Sequence, residues 1–149
     1  MTTLRHEIRI DAPVETVWNA LADLAAVQEY NPGVASARVV SERAGGVGAA
    51  RRCELKPKGW VEERVWDFSP PHALGLEVAA SDWPLVFMKW KTELEPLAGA
   101  TLVTQELNYK LKFGPIGALL NALVMRRKLD QSIGAVFEGL KRYVEGSKG

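Results

Sequence analysis

Gly114-Pro115-Ile116-Gly117-Ala118-Leu119-Leu120-Asn121-Ala122-Leu123-Val124-Met125-Arg126-Arg127-Lys128-Leu129-Asp130-Gln131-Ser132-Ile133-Gly134-Ala135-Val136-Phe137-Glu138-Gly139-Leu140-Lys141-Arg142-Tyr143-Val144-Glu145 reads as one long helix, and it decides the fold. A Gly-Pro pair leaves one element and opens another, and proline is at home in a first helical turn. Leu119, Ala122, Leu129, Ile133, Val136, Phe137, Leu140 and Val144 recur at helical spacing and predict one buried face. Lys128, Gln131, Glu138, Lys141 and Arg142 mark the wet face of the second half. Two features break the pattern. Arg126 falls inside the apolar stripe, and the segment from Ile116 to Met125 is apolar almost all round. A helix of that kind needs cover on every side.

The cover comes from the rest of the chain. Leu4, His6, Ile8 and Ile10 alternate with polar residues and predict a half-buried first strand. Pro13 then suits a first helical position, and Val14, Val17, Trp18, Leu21 and Leu24 make the apolar face of a short helix. A second helical piece spans Ala25 to Tyr30, ended by Asn31-Pro32-Gly33. From Val34 to Leu111 the signal is β. Strands are predicted over 34–42, 49–55, 60–68, 73–80, 86–94 and 101–112, parted by Gly- and Pro-rich turns. Val86, Met88, Trp90, Thr92 and Leu94 share one face, as do Val103, Gln105, Leu107, Tyr109 and Leu111. Clean alternation means an antiparallel sheet with one face covered. The large apolar partner is the C-terminal helix, so the class is α+β.

The bulk composition excludes several functions. A chain of 149 residues is long enough for one domain with a real core. Its hydrophobic content of 47% and charged content of 25% are ordinary for a globular protein. A net charge of +1 gives no case for nucleic acid or an anionic membrane. One cysteine, Cys53, excludes an internal disulfide and a cysteine-based metal cluster. The N-terminus lacks the apolar run of a signal peptide, and the longest apolar run is about half the roughly 20 residues a membrane span needs. A cytoplasmic location without stable membrane insertion is expected.

The order of elements resembles the START-like (SRPBCC, helix-grip) superfamily, which includes the polyketide cyclase/dehydrase and lipid-transport proteins. The likeness rests on Ile10-Asp11-Ala12-Pro13-Val14-Glu15-Thr16-Val17-Trp18, Asp23 with Tyr30-Asn31-Pro32-Gly33-Val34, and Gly46-Val47-Gly48-Ala49-Ala50-Arg51. It continues through Ser69-Pro70-Pro71, Leu94-Glu95-Pro96, Gly99-Ala100-Thr101-Leu102-Val103-Thr104 and Phe113-Gly114-Pro115-Ile116-Gly117. The resemblance implies that residues 1–149 form one START-like ligand-binding domain. A curved antiparallel sheet of about seven strands would wrap around the long C-terminal helix, with two short helices after the first strand. It also implies a cavity between sheet and helix for a hydrophobic small molecule or lipid, with no cofactor. Chemistry does not follow from the fold.

The residues themselves favour binding over catalysis. There are two histidines, His6 on the first strand and His72 in a Pro-rich turn, and neither sits in a metal-ligand spacing. Cys53 alternates with Arg51 and Leu55 and reads as a small buried hydrophobe. The strand Trp60–Phe68 is ambiguous. Either Val61, Glu63 and Val65 face inward, or Trp60, Glu62, Arg64 and Trp66 do. The first is preferred, and it puts Glu63 in an apolar cavity with Arg126 as its candidate partner. That pair reads as a polar anchor or a general acid on one view, and as a structural ion pair on the plainer one. Weak catalytic candidates are Glu63, Tyr109 and Arg126. Expected ligand-lining residues are Tyr30, Glu63, Val65, Leu76, Trp83, Met88, Trp90, Gln105, Tyr109, Leu123 and Arg126. The leading reading is a carrier or binding protein, monomer or weak homodimer. The second is a polyketide cyclase or dehydratase, and the third an interaction protein using the apolar first half of the helix.

Overall fold

Seven stretches of period-two sequence become seven strands because each has an apolar face to bury. The computed structural model describes residues 1–146. The strands are β1 (Thr2–Ile10), β2 (Val34–Val39), β3 (Ala50–Leu55), β4 (Trp60–Ser69), β5 (Ala73–Ser81), β6 (Leu85–Leu97) and β7 (Ala100–Leu111). They form one antiparallel sheet in the order β1-β7-β6-β5-β4-β3-β2. Between the two edge strands run α1 (Val14–Ala22), a 3₁₀ turn at Leu24–Ala26 and α2 (Val27–Tyr30). After β7 come α3 (Gly114–Leu120), a π-helical stretch Asn121–Met125, and α4 (Arg126–Gly146). This is the helix-grip arrangement that the alternation and the long terminal helix predict.

The core lies between the concave face of the sheet and α4. Leu4, Leu76, Leu94, Val103, Leu107 and Tyr109 meet Leu129, Ile133, Phe137, Leu140 and Val144 there. Edge strand β1 is shielded by the same helix. Lys141 Nζ donates to the Arg9 carbonyl at 3.0 Å, and the Asp11 amide donates to Glu145 Oε2 at 2.9 Å. α4 sits close on α2 because position 139 is glycine. A Cβ at Gly139 would lie 1.9 Å from the Tyr30 carbonyl oxygen.

Strand β4 presents Val61, Glu63 and Val65 to the interior, since Val61 and Val65 are buried and Glu63 is nearly so. Trp66 lies at a register shift between β4 and β5, and its indole Nε1 donates to the carbonyls of Leu76 and Trp90.

Two expectations about facing are corrected. Val86 does not join Met88 and Trp90 on the inner face. A bulge between Leu85 and Phe87 gives the inward position to Leu85 and leaves Val86 exposed. Leu119 and Ala122 do not continue the buried stripe of α4 either, and both are exposed. The sheet-facing positions of the first half are Gly117, Asn121 and Met125. The π-helical stretch widens one turn and rotates the faces before it relative to those after it. The greasy side chains of the first half therefore point outward.

Candidate functional site

Three polar groups and one apolar opening lie along the concave face. At the end near α2, register pairs Arg51 of β3 with Glu63 of β4. Arg51 Nε donates to Glu63 Oε1 at 2.7 Å, and its Nη1 donates to the Leu24 carbonyl at 3.2 Å. The two side chains are 6% and 13% exposed. Burial works against the charge of Arg51, but Glu63, Tyr30 and Cys53 together outweigh it and hold the guanidinium firmly protonated. Burial raises the Tyr30 hydroxyl above its ordinary value, opposed by Arg51 beside it. Burial, and then the charge of Glu63, push the Cys53 thiol up to about 12. The cluster is neutralised within itself and ties the Leu24–Ala26 turn to the sheet.

In the middle, His6, Gln105 and Thr92 sit side by side across β1, β7 and β6. Thr92 Oγ1 donates to Gln105 Oε1 at 3.1 Å. His6 lies edge-on to Phe137, with Nε2 3.0 Å from Asp130 Oδ1 of α4. Its Nδ1 is buried and has no hydrogen-bond partner among the described residues. At the far end, the Tyr109 hydroxyl donates to Asn121 Oδ1, and Asn121 Nδ2 donates to Thr2 Oγ1 at 3.0 Å. Burial raises the Tyr109 hydroxyl above its ordinary value. This chain of bonds fastens the π-helical stretch to β7 and β1.

The apolar opening comes from the sheet itself. The ladder between β5 and β6 runs from Ala73↔Glu93 only to Glu77↔Lys89. Both strands continue past that point, β5 to Ser81 on β4 and β6 back to Leu85 on β7. The two neighbours splay apart. The connecting loop is tied to β4, where the Trp60 amide donates to Asp82 Oδ1 at 3.1 Å. It is also tied to the entry of α3, where the Lys112 amide donates to the Pro84 carbonyl at 2.8 Å. Val78, Trp83, Leu85, Trp90 and Met125 belong to the core here but stay only partly buried. They form a partly open apolar patch between the β5–β6 loop and the first half of the terminal helix, away from the open clefts beside Tyr30 and Tyr143.

The expected lining residues divide by position. Trp83 and Trp90 lie at this mouth, with Met88 and Tyr109 buried behind it. Val65 and Leu76 are closed core, Gln105 belongs to the middle row, and Tyr30 and Glu63 sit in the cluster near α2. Leu123 and Arg126 are corrections. Leu123 is 71% exposed, and Arg126 is exposed with its charge reaching no further inward than the Tyr109 hydroxyl. Arg126 is therefore not the partner of Glu63; Arg51 is. Arg51 was legible as inward from its alternation with Cys53, but its meeting with Glu63 depends on the β3–β4 register. Asn121 and Asp130 carried no signal beyond their helical period. Among the described residues no group of three or more His, Cys, Asp and Glu could hold a metal ion.

The seven-stranded antiparallel sheet and the helix it grips define a START-like, helix-grip protein. The chain belongs to the polyketide cyclase/dehydrase and lipid transport family, whose model matches residues 1–145. Its fold is similar to that of TTHA0849 from Thermus thermophilus, at 22% identity and a TM-score of 0.83, covering 99% of this chain and 100% of that one. It is also similar to a START superfamily protein from Mycobacterium smegmatis, at 15% identity and a TM-score of 0.78, covering 97% of each chain. A third likeness is to the di-domain ARO/CYC BexL of the BE-7585A biosynthetic pathway, at 19% identity and a TM-score of 0.78. It covers 97% of this chain and 47% of BexL. No curated protein is matched by the sequence.

Proposed function

We propose that the protein binds a hydrophobic small molecule or lipid in the groove between the splayed ends of β5 and β6 and the C-terminal helix, as a carrier rather than a catalyst. The observation that carries this reading is the early end of the β5–β6 ladder at Glu77↔Lys89, which leaves apolar core side chains partly open to solvent. Two half-buried tryptophans suit a flat apolar ligand. A cyclase or dehydratase has less support. Its acid–base candidates are already committed, Glu63 to Arg51 and Tyr109 to Asn121, and Arg126 stands outside. The chain works as a monomer or weak homodimer in this reading.

Native mass spectrometry of the purified protein, with tryptophan quenching by anilinonaphthalene sulfonate, tests it. A co-purified apolar ligand, or saturable quenching that Val78→Arg removes, is the expected result. Quenching that Val78→Arg leaves intact would place the probe elsewhere and overturn the reading.

A further inference from the structure

The groove does not use the outer face of the helix's first half. Ile116, Leu119, Leu120 and Leu123 follow one another at i, i+3, i+4 and i+7 on that face, and Arg127 continues it one turn on. Ile116 is 74% exposed, Leu119 60% and Leu123 71%, and Phe113 and Val124 beside them are also open. Contiguous apolar exposure of this kind marks an interaction surface.

The charge around it is one-sided. From Leu107 to Leu129 the sequence holds Lys110, Lys112, Arg126, Arg127 and Lys128 and not one acidic residue. The chain's net +1 is thus +5 in this segment and −4 everywhere else. All five basic side chains are exposed. None of them is in an ion pair among the described residues, whereas His6, Arg9, Arg51, Arg52, Arg64, Lys91 and Lys141 each meet a carboxylate. Two lysines precede the apolar stretch and three basic residues follow it.

We infer that this face docks on an anionic lipid surface, with the apolar stripe entering the headgroup boundary and the flanking lysines and arginines meeting the lipid phosphates. An exposed apolar helix face bracketed by cations matches that boundary. A second copy of the chain fits badly, because a two-fold contact would set one five-cation segment against another. Docking is peripheral, since no helix among the described residues is long and apolar enough to cross a membrane. The face adjoins the groove mouth through the Lys112–Pro84 bond, but the inference does not depend on the groove holding a ligand.

Vesicle co-sedimentation tests it, with vesicles of phosphatidylcholine alone and of equal parts phosphatidylcholine and phosphatidylglycerol. Binding to the anionic vesicles is expected, at least about tenfold tighter than to the neutral ones and lost near 1 M salt, where charges are screened beyond about 3 Å. Replacing Arg126, Arg127 and Lys128 together by Gln should weaken it about a hundredfold, at about fivefold per residue. Leu123→Glu, at a solvent-facing site, should weaken it more than about tenfold with the thermal midpoint unchanged. Leu123→Trp should shift its emission to the blue only with anionic vesicles. Absent binding at low salt, equal binding to both vesicles, or indifference to Leu123→Glu each overturns the inference. So does a stable dimer in sedimentation equilibrium that Leu123→Glu dissociates.

Discussion

The two halves of the C-terminal helix obey opposite rules. In α4, Leu129, Ile133, Phe137, Leu140 and Val144 point into the sheet and charged residues point out. From Gly114 to Met125, glycine, asparagine and methionine face the sheet and the large aliphatic side chains face solvent. The same continuous helix is core at one end and display surface at the other. The difference shows that an apolar residue in a helix reports a need for cover, not the identity of what covers it. It also explains why the first half is fastened by polar bonds, through Tyr109, Asn121 and Thr2, where the second is fastened by packing.

The sharpest way to break the comparison is to truncate one residue in each half. Phe137→Ala removes a buried ring and should cost about 3–5 kcal/mol, whereas Leu123→Ala should stay within about 0.5 kcal/mol. Urea unfolding of both variants checks this, and equal losses would abolish the distinction. Glycine gives a second pairing. Gly139→Ala forces a Cβ to 1.9 Å from the Tyr30 carbonyl, and Gly117→Ala forces one to 2.0 Å from the Lys112 carbonyl. Both clashes are with backbone and cannot be relieved by a rotamer. The first should cost about 3 kcal/mol of global stability, because α4 has no alternative seat. The second should leave the urea midpoint nearly unchanged and instead raise hydrogen exchange across residues 114–125 as α3 lifts away.

A pH experiment reads the closed end alone. Cys53 has its thiol raised from 9.0 to about 12, so the folded state holds that proton more tightly than the unfolded chain. Its contribution is fully present below about pH 9 and is lost as pH rises toward 12, on the order of 2–3 kcal/mol of it by pH 11. Cys53→Ala should flatten the alkaline limb of the stability profile over that window. The native thiol should also resist alkylation at pH 8 until the protein unfolds. The smallest effect is expected at the latch. Tyr109→Phe removes the bond to Asn121 and should cost about 1 kcal/mol, with exchange rising first in 121–125. A uniform rise across α4 as well would mean that the two halves open as one unit.

Much of this fold was legible in the residues. Alternation located every strand, and Trp60–Phe68 was oriented correctly from Val61 and Val65 alone, because burial enforces a period of two. The site was less legible. The inward direction of Glu63 followed from that same period, but its partner did not, since Arg51 reaches it across a strand register. Val86 was misplaced because a bulge inserts one residue without changing the sequence pattern. Leu119, Leu123 and Arg126 were misplaced because a π-helical stretch rotates a helix face while apolar spacing still fits the ordinary period.

Period and composition by themselves therefore determined the class of fold, the order of its elements and the presence of an apolar segment in need of cover. Those are consequences of local geometry, which each short window of sequence carries. The tertiary structure alone decided where the β5–β6 ladder stops, which arginine neutralises Glu63 and which way the first half of the helix faces. Each depends on the register between distant segments, and one residue of slip reverses the face on which a side chain lands.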